Sequence, residues 1–480
     1  MFGGIFNIEE FIGKLFNLNP ALLMMIAVVI TCFFLIIIKI IQETRTEKIY
    51  NFDEDIRMKK ENKENKKNRD FQAENKSVFL GTSAGKKKLY LKENVKNVYV
   101  CGTTGSGKTV ALSNFIDYSV ARNIPLLIID GKGDTDYGSL LDIVNKLKGD
   151  KKLYVIDLNN PSSSDKYNPF GNTSYTIVKD MLINMTDWSE EHYKTNTERY
   201  LQRLVELLDK NAITLSFKTI VENMSIDKFQ ILSTNLLKQE IITKDEHIHN
   251  LEFINKDIEK IIIGASARFA TILESELGVI FEETGIDIYT ALRENAIILF
   301  ILNPLIYPEL SQLVGRLITI DSKKAVSNLF KNKVERGFFI FDEINVYSSP
   351  TLLDLVNKSR SANITCILAS QSLSDLEAKG GEYFKEQIIE NCNCYVVMRQ
   401  NSAKNAEQWA DIIGTKNSFS VTYQIEDNLL GGADTGKGSV RKTREYIYHP
   451  DEIKSLPVGM GFLINKDSNS KTKIIINKPF

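Results

Sequence analysis

The feature that most constrains this chain is a glycine-rich turn between a strand pattern and a helix pattern. It consists of Gly102, Thr103, Thr104, Gly105, Ser106, Gly107, Lys108 and Thr109. Glycines let the backbone curl so that successive N–H groups point into one cavity, and the following helix adds its partial positive charge. The spacing is that of a Walker A motif. It predicts an ATP site in which Lys108 binds the β- and γ-phosphates and Thr109 binds Mg²⁺. The alternative, a chance glycine-rich turn, is disfavoured by both flanks.

A second motif follows the buried strand pattern at 338–341. Asp342 and Glu343 end this strand in the Walker B form, so Asp342 is predicted to complete the Mg²⁺ shell. Glu343 is predicted to act as the general base that activates water. The alternative is a strand that merely ends in acidic residues. It carries less weight in a chain that also holds a Walker A motif.

Two more residues are candidates for the same reaction. Gln371 follows the apolar strand pattern 364–369, and ligands of open parallel sheets lie at the carboxyl ends of strands. Gln371 is therefore predicted to contact the γ-phosphate or the attacking water, with a polar strand-end loop as the alternative. Arg360 precedes the same strand. It is either an arginine finger for a neighbouring subunit or a surface cation.

The apolar runs predict the fold class. Short continuous runs alternate with helical patterns, which indicates an α/β fold with a mainly parallel sheet covered on both faces. The runs are Val95–Cys101, Pro125–Asp130, Leu153–Asp157, Ala296–Leu302, Gly337–Phe341, Ile364–Ala369 and Cys394–Arg399. We also expect two short strands near the end of the chain, at 461–464 and 472–476.

The two phosphate motifs are more than two hundred residues apart, which exceeds what a P-loop core needs between them. Residues 172–265 show helical periodicity, with an amphipathic helix around Tyr200–Leu208 and a capping box at Thr243–Glu246. We therefore predict a nucleotide-binding core in two parts, 77–171 and 266–480, with an all-α subdomain inserted at 172–265.

The amino-terminal region predicts a membrane anchor. Residues 20–38 carry no charge and are long enough to span a bilayer, so we place a transmembrane helix at 21–41. A signal peptide and a buried helix are the alternatives. Because cations cluster after Lys39, residues 1–20 are expected outside the cell membrane and the rest in the cytoplasm. The charged segment 42–76 is a solvated helix or flexible linker, or a basic collar against anionic lipid.

Composition limits what the chain can bind. The formal net charge is −1, so any contact with nucleic acid must be a local patch or a pore lining. The glycine-rich basic stretch 431–444 is predicted to be a loop, either a disordered hairpin tip or a DNA-facing loop. The cysteines are expected to be reduced, without the second pair that a zinc site needs; they are Cys32, Cys101, Cys366, Cys392 and Cys394.

Together these motifs resemble the TraG/TraD-type conjugation ATPases, the coupling proteins of type IV secretion systems in the HerA–FtsK superfamily. The resemblance covers roughly 77–480 together with the anchor. Its residues lie at 102–109, 129–134, 167–170, 338–343, 359–361, 369–372, 449–452 and 456–459. Two features depart from the family. It usually has two amino-terminal membrane helices, and it usually reads Asp-Pro-Lys-Gly-Glu where this chain has Asp130-Gly-Lys-Gly-Asp134.

The resemblance implies a RecA-like core with an inserted all-α domain, assembled as a membrane-anchored homo-hexamer around a channel. It also implies binding of a relaxase with single-stranded DNA, and contact with the secretion channel proteins. Gln371 would be the sensor glutamine and Arg360 a finger acting in trans. The expected function is an ATP-driven DNA translocase in conjugation. The alternatives are an FtsK-like translocase of double-stranded DNA, and a protein-export or docking ATPase that does not grip DNA.

Overall fold

A computed structural model of the chain describes residues 64–171, 173–428 and 431–480, together with Met24, Thr31, Phe33, Phe34 and Ile37. For 421–428 and 431–439 only the backbone is described. The chain divides into two units, Met1–Asn68 and Arg69–Phe480.

The described residues of the first unit are the five single positions and residues 64–68, and all of them are helical. No helix in the described part of the chain is both long and apolar enough to cross a bilayer. The span predicted at 21–41 lies outside the described residues, apart from the five single positions named above.

The second unit is built on one large sheet. Its strands are β1 (Ser77–Ser83), β2 (Lys88–Lys92), β3 (Asn97–Cys101), β4 (Leu126–Asp130), β5 (Leu153–Asp157), β6 (Ile297–Ile301), β7 (Gly337–Asp342), β8 (Ile364–Ser370), β9 (Cys392–Met398), β12 (Met460–Asn465) and β13 (Ser470–Ile476). Within the described residues their order is β2-β1-β13-β12-β9-β3-β8-β7-β4-β6-β5. The part from β9 to β5 is parallel, and β12, β13, β1 and β2 extend it antiparallel.

Helices cover both faces of this sheet, which is why its central strands are continuously apolar. On β4, Leu126 and Ile128 pack into one core with Phe115, whereas Leu127 and Ile129 pack into the opposite core with Leu317. The helices of the second unit that follow its first helical segment, at 69–75, are α1 (Lys108–Ala121), α2 (Leu140–Leu147), α3 (Tyr175–Asn184), α4 (Glu191–Lys210), α5 (Phe217–Glu222), α6 (Ile226–Lys238), α7 (Lys244–Glu252), α8 (Lys256–Leu273), α9 (Ile288–Arg293), α10 (Pro308–Leu329), α11 (Pro350–Lys358), α12 (Leu373–Asn391), α13 (Ala403–Ile413) and α14 (Pro450–Lys454).

Helices α3 to α8 occupy the region where an insertion was predicted. Residues 173–296, all of them described, contain no strand. The capping box at Thr243 and Glu246 opens α7, as its sequence indicates. Helix α8 continues past position 265 to Leu273, since no glycine or proline interrupts it between 265 and 273. The boundaries of an all-α subdomain stay a prediction.

One prediction is wrong, and two strands were missed. The stretch 431–444 is not a loop, because it belongs to β11 (Gly431–Tyr446), which pairs antiparallel with β10 (Thr415–Asn428) in a separate two-stranded ribbon. Low apolar content suggested a loop, but the backbone of this stretch pairs with β10 in an antiparallel ladder. Strands β1 and β2 were not predicted.

Candidate active site

The glycine-rich turn joins β3 to α1, as the sequence predicts. Gly105 has φ 74° and Gly107 has φ 108°, backbone conformations that favour glycine. Gly107 is the N-cap of α1, so the free N–H groups of the first helical turn lie at the end of the cradle. The turn can therefore bind an anion through backbone N–H groups.

A segment from the end of the chain braces this turn. The Gly459 N–H donates to the Ser106 carbonyl oxygen at 2.9 Å, and a Cβ on Gly107 would lie 3.4 Å from the Gly459 Cα. A Cβ on Gly102 would lie 2.7 Å from the Met398 Cβ, closer than packed atoms allow. The turn is thus held between β9 and the segment that leads into β12, and Gly102 has no space for a side chain.

Three predicted side chains converge beside the turn. The Lys108 Nζ donates to the Gly102 carbonyl oxygen at 2.8 Å and lies 3.7 Å from the Glu343 Oε1. The Gln371 Nε2 donates to the same Glu343 oxygen at 3.2 Å. The Thr104 hydroxyl in turn donates to the Gln371 Oε1 at 3.1 Å. One chain of hydrogen bonds therefore links the glycine turn, the sensor position and the general-base candidate.

Glu343 is held in a strained conformation. Its φ is 48°, in the left-handed region that residues other than glycine seldom adopt, and the residue is buried. Strain of this kind persists only where surrounding structure enforces it, and it clusters at active sites. Here the backbone kink turns the chain out of β7 directly after Asp342 and leaves the Glu343 carboxylate beside Lys108.

Asp342 ends β7 deep in the same cleft. Burial raises the pKa of its carboxyl well above the ordinary value, and the charges of Asp130 and Glu343 raise it further against the lowering effect of Lys108. Its Oδ1 is buried and has no hydrogen-bond partner. An unpartnered carboxylate oxygen that faces other carboxylates is the electrostatic setting in which a cation binds.

The cleft around these groups has a volume of about 490 Å³, within the range of small-molecule sites. Its lining holds most of the predicted residues, namely Thr103, Thr104, Gly105, Gly107, Lys108, Thr109, Asp342, Glu343 and Gln371. Pro304 and Leu305, from the loop after β6, form part of the opposite wall. The site thus lies at the carboxyl ends of the parallel strands, where ligands of such sheets bind.

The donor set fits Mg²⁺ bound together with a nucleotide. Thr109 and Asp342 line one cleft, and the buried Asp342 Oδ1 has no hydrogen-bond partner. No group of three or more His, Cys, Asp or Glu side chains suited to a metal occurs among the described residues. That agrees with Mg²⁺, which takes one or two carboxylates and completes its shell with phosphate oxygens and water.

Arg360 does not join the cleft. It is exposed in the 3₁₀ turn Ser359–Ala362, directly before the amino end of β8. The cleft lies at the opposite, carboxyl edge, and the seven residues of β8 alone span about 23 Å. Arg360 therefore cannot reach the cleft of its own subunit.

Sequence reasoning assigned no role to Asp130, although its motif was recognised. The residue ends β4 and pairs in register with Asp342 on the neighbouring strand. An acidic residue that ends a strand predicts little by itself, since the order of strands in the sheet decides which strand ends become neighbours.

The cysteines agree with expectation where they are described: Cys101, Cys366, Cys392 and Cys394 are free and buried, and Cys32 lies outside the described residues.

Comparison with known proteins gives a consistent picture. Residues 336–458 match the family model described as the TraM recognition site of TraD and TraG. An uncharacterized protein of Mycoplasma pneumoniae is 31% identical over 120 residues, which cover 25% of this chain and 79% of that protein.

Similar folds occur among solved structures. The bacterial conjugative coupling protein TrwBΔN70 matches with a TM-score of 0.59 at 16% identity, covering 83% of this chain and 88% of the other. The plasmid coupling protein TrwB in complex with ADP and Mg²⁺ matches with a TM-score of 0.59 at 15% identity, over 83% and 89%. VirB4 of Thermoanaerobacter pseudethanolicus matches with a TM-score of 0.51 at 12% identity, over 83% and 96%. At these identities the likeness shows the fold alone.

Proposed function

We propose that this chain is a type IV secretion coupling protein of the TraG/TraD type, a membrane-anchored ATPase that moves DNA during conjugation. Residues 336–458, which match the family model of TraD and TraG, support this proposal. The observation that carries the proposal is the convergence of Lys108, Glu343 and Gln371 on one cleft beside the glycine turn. A phosphate cradle alone would serve any nucleotide-binding protein. A carboxylate held between a lysine and a glutamine also supplies a base for hydrolysis.

Each residue of the cleft has a separate role in the cleavage of ATP. The N–H groups of the glycine turn and Lys108 hold the triphosphate, so the γ-phosphate lies next to Glu343. Glu343 accepts the proton of the attacking water, and Gln371 orients the same carboxylate and senses the γ-phosphate. Thr109 and Asp342 would hold Mg²⁺, which neutralises charge on the phosphates.

Changes at the nucleotide can reach the rest of the subunit through Gln371. Its side chain bonds both the glycine turn and Glu343, and it directly follows β8, whose amino end carries Arg360. In a ring, Arg360 would complete the nucleotide site of a neighbouring subunit, since its own cleft is out of reach. We infer that loss of the γ-phosphate shifts neighbouring subunits against each other and moves bound DNA.

The partners follow from the same proposal. Residues 336–458, which match the TraM recognition model, run from β7 to the segment that braces the glycine turn. We propose that this region docks a protein of the relaxase–DNA complex, and that docking is sensed at the turn through Gly459. The anchor at 21–41 would hold the ring at the cell membrane beside the secretion channel.

The proposal is tested by the ATPase rate of the full-length protein in detergent, without DNA, with single-stranded DNA and with duplex DNA. We expect single-stranded DNA to give the largest stimulation. Stimulation by duplex alone would favour an FtsK-like translocase. No stimulation by either DNA, and no salt-dependent DNA binding, would favour an export or docking ATPase. A Lys108→Ala variant measures contaminating ATPases and should be inactive in every condition.

A further inference from the structure

Asp130 stands opposite Asp342 at the end of the neighbouring strand, and the two residues pair in register across β4 and β7. Neighbouring parallel strands lie about 4.8 Å apart, and residues in register point to the same face of the sheet. Asp130 is 2% exposed and Asp342 is 4% exposed. Two buried carboxylates therefore end neighbouring strands at the carboxyl edge of the sheet, where Asp342 and Gly131 line the cleft.

The protein itself compensates these charges poorly. Lys108 lies 3.7 Å from Glu343, and Lys132, the other lysine of the cleft lining, bonds Asp134 at 2.6 Å. The Asp342 Oδ1 is buried without a hydrogen-bond partner. Asp342 and Glu343 thus face one buried lysine, while the cation beside Asp130 is the exposed Lys132.

Asp130 has a second, structural contact that must be separated from any role toward a cation. Its Oδ1 accepts hydrogen bonds from the Lys132 N–H at 2.9 Å and the Gly133 N–H at 3.2 Å. These bonds fold the loop that contributes Gly131 and Lys132 to the cleft. They engage one oxygen of the carboxylate and do not require its negative charge, because an amide oxygen could accept them equally well.

We propose that Asp130 is the second carboxylate of the Mg²⁺ site, a positioning residue that accepts a hydrogen bond from water on the cation while Asp342 binds on the neighbouring strand. The role fits a cation that keeps several waters and takes few protein ligands directly. The inference rests on the proposed function insofar as it requires Mg²⁺ to bind with a nucleotide.

The test measures binding rather than turnover. Full-length protein in detergent is titrated with N-methylanthraniloyl-ADP in EDTA and at a series of MgCl₂ concentrations, which gives the Mg²⁺ affinity of the nucleotide complex. Asp130→Asn keeps an oxygen for the loop and removes the charge. We expect its Mg²⁺ affinity to fall by about 10–100-fold, the usual effect of losing an outer-shell carboxylate. Its affinity for the nucleotide in EDTA should not fall.

Asp157→Asn is the matched control. Asp157 ends β5, is buried, and accepts the Asn159 N–H at 2.8 Å in a similar turn, but β4 and β6 separate β5 from β7, so Asp157 is not next to Asp342. Its replacement should leave the Mg²⁺ affinity unchanged. An Asp130→Glu variant restores the charge and should recover much of the Mg²⁺ affinity, even if the asparagine variant is poorly folded.

Wild-type Mg²⁺ affinity in Asp130→Asn would overturn the inference, as would equal losses in the asparagine and glutamate variants. Either result would leave a loop-folding role for Asp130. If wild-type protein bound no nucleotide under any condition, the proposed function itself would fail. The two failures are therefore distinguishable.

Discussion

At the scale of single residues, the cleft places negative charge where a metal–nucleotide complex would neutralise it. Asp130, Asp342 and Glu343 are all buried, and Lys108 is the one buried lysine within the described cleft lining. Such an arrangement costs folding free energy in the empty protein. Binding of Mg²⁺ and nucleotide would remove that cost, so stability and ligand binding should be coupled at this site.

Glu343→Gln separates binding from cleavage. The amide keeps nearly the same shape but cannot take a proton, so hydrolysis should fall by about 10²–10⁴-fold. Nucleotide binding should persist, because the glycine turn and Lys108 are intact. Single-turnover hydrolysis and N-methylanthraniloyl-ATP binding measure the two effects. Loss of binding in this variant would instead give Glu343 a structural role.

The raised pKa of Asp342 predicts a pH-dependent stability in the empty protein. The folded state binds a proton that the unfolded state releases above the ordinary carboxyl pKa of about 3.9, so this group makes unfolding easier as the pH rises. Asp342→Asn removes the effect. In EDTA without nucleotide, the variant should gain more in thermal midpoint over wild type at pH 8 than at pH 5. An equal gain at both values would contradict the prediction.

At the scale of elements, a buried ion pair ties α10 to the segment that leads from β5 into the helical insertion. Lys324 Nζ lies 2.8 Å from the Asp321 Oδ1 and donates to the Pro169 carbonyl oxygen at 2.6 Å. The Tyr167 hydroxyl donates to the other Asp321 oxygen at 2.8 Å. The contacts join the core to the start of the helices, so they fix where the insertion leaves the sheet.

Lys324→Met should strongly destabilise the second unit. The substitution leaves Asp321 buried without its partner, and breaking a buried pair in this way usually costs about 3–5 kcal/mol. Urea unfolding followed by circular dichroism measures the change. The double variant Asp321→Asn, Lys324→Met removes both charges and should recover part of the loss. A single variant as stable as wild type would show that the pair is dispensable.

At the scale of the whole molecule, Arg360 lies too far from the cleft to act on it within one subunit. The cleft is at the carboxyl edge of the sheet and Arg360 is at the amino edge. If Arg360 takes part in catalysis, it must serve another copy of the chain. The exposed apolar side chains of Leu305 and Ile306, beside the cleft, are consistent with a surface that a neighbouring copy covers.

Arg360→Ala should lower kcat by about 10³–10⁵-fold if the residue is a finger acting in trans. Mixed with subunits that carry Lys108→Ala and retain Arg360, the variant should regain activity, because each partner supplies what the other lacks. Arg293→Ala is the matched control, since Arg293 is also exposed near the amino ends of the strands. Failure of any mixture to regain activity would count against a trans role.

Much of the core could be predicted from local sequence. The predicted strands β3 to β9 are present, since a strand buried on both faces must be apolar throughout and therefore stands out. Strands β1 and β2 were not predicted because they lie toward the edge of the sheet and mix polar with apolar residues. The stretch 431–444 was misjudged because few of its residues are apolar, although its backbone pairs with β10.

The sequence by itself determined the candidate groups of the nucleotide site, because a glycine turn, a lysine and a strand-end acidic pair are local patterns whose physical meaning depends little on distant residues. Only the tertiary structure decided which strand ends are neighbours. It placed Asp130 beside Asp342, braced the glycine turn with Gly459 and separated Arg360 from its own cleft. Strand order depends on how the whole chain packs, so residues far apart in sequence meet in ways that no local pattern records.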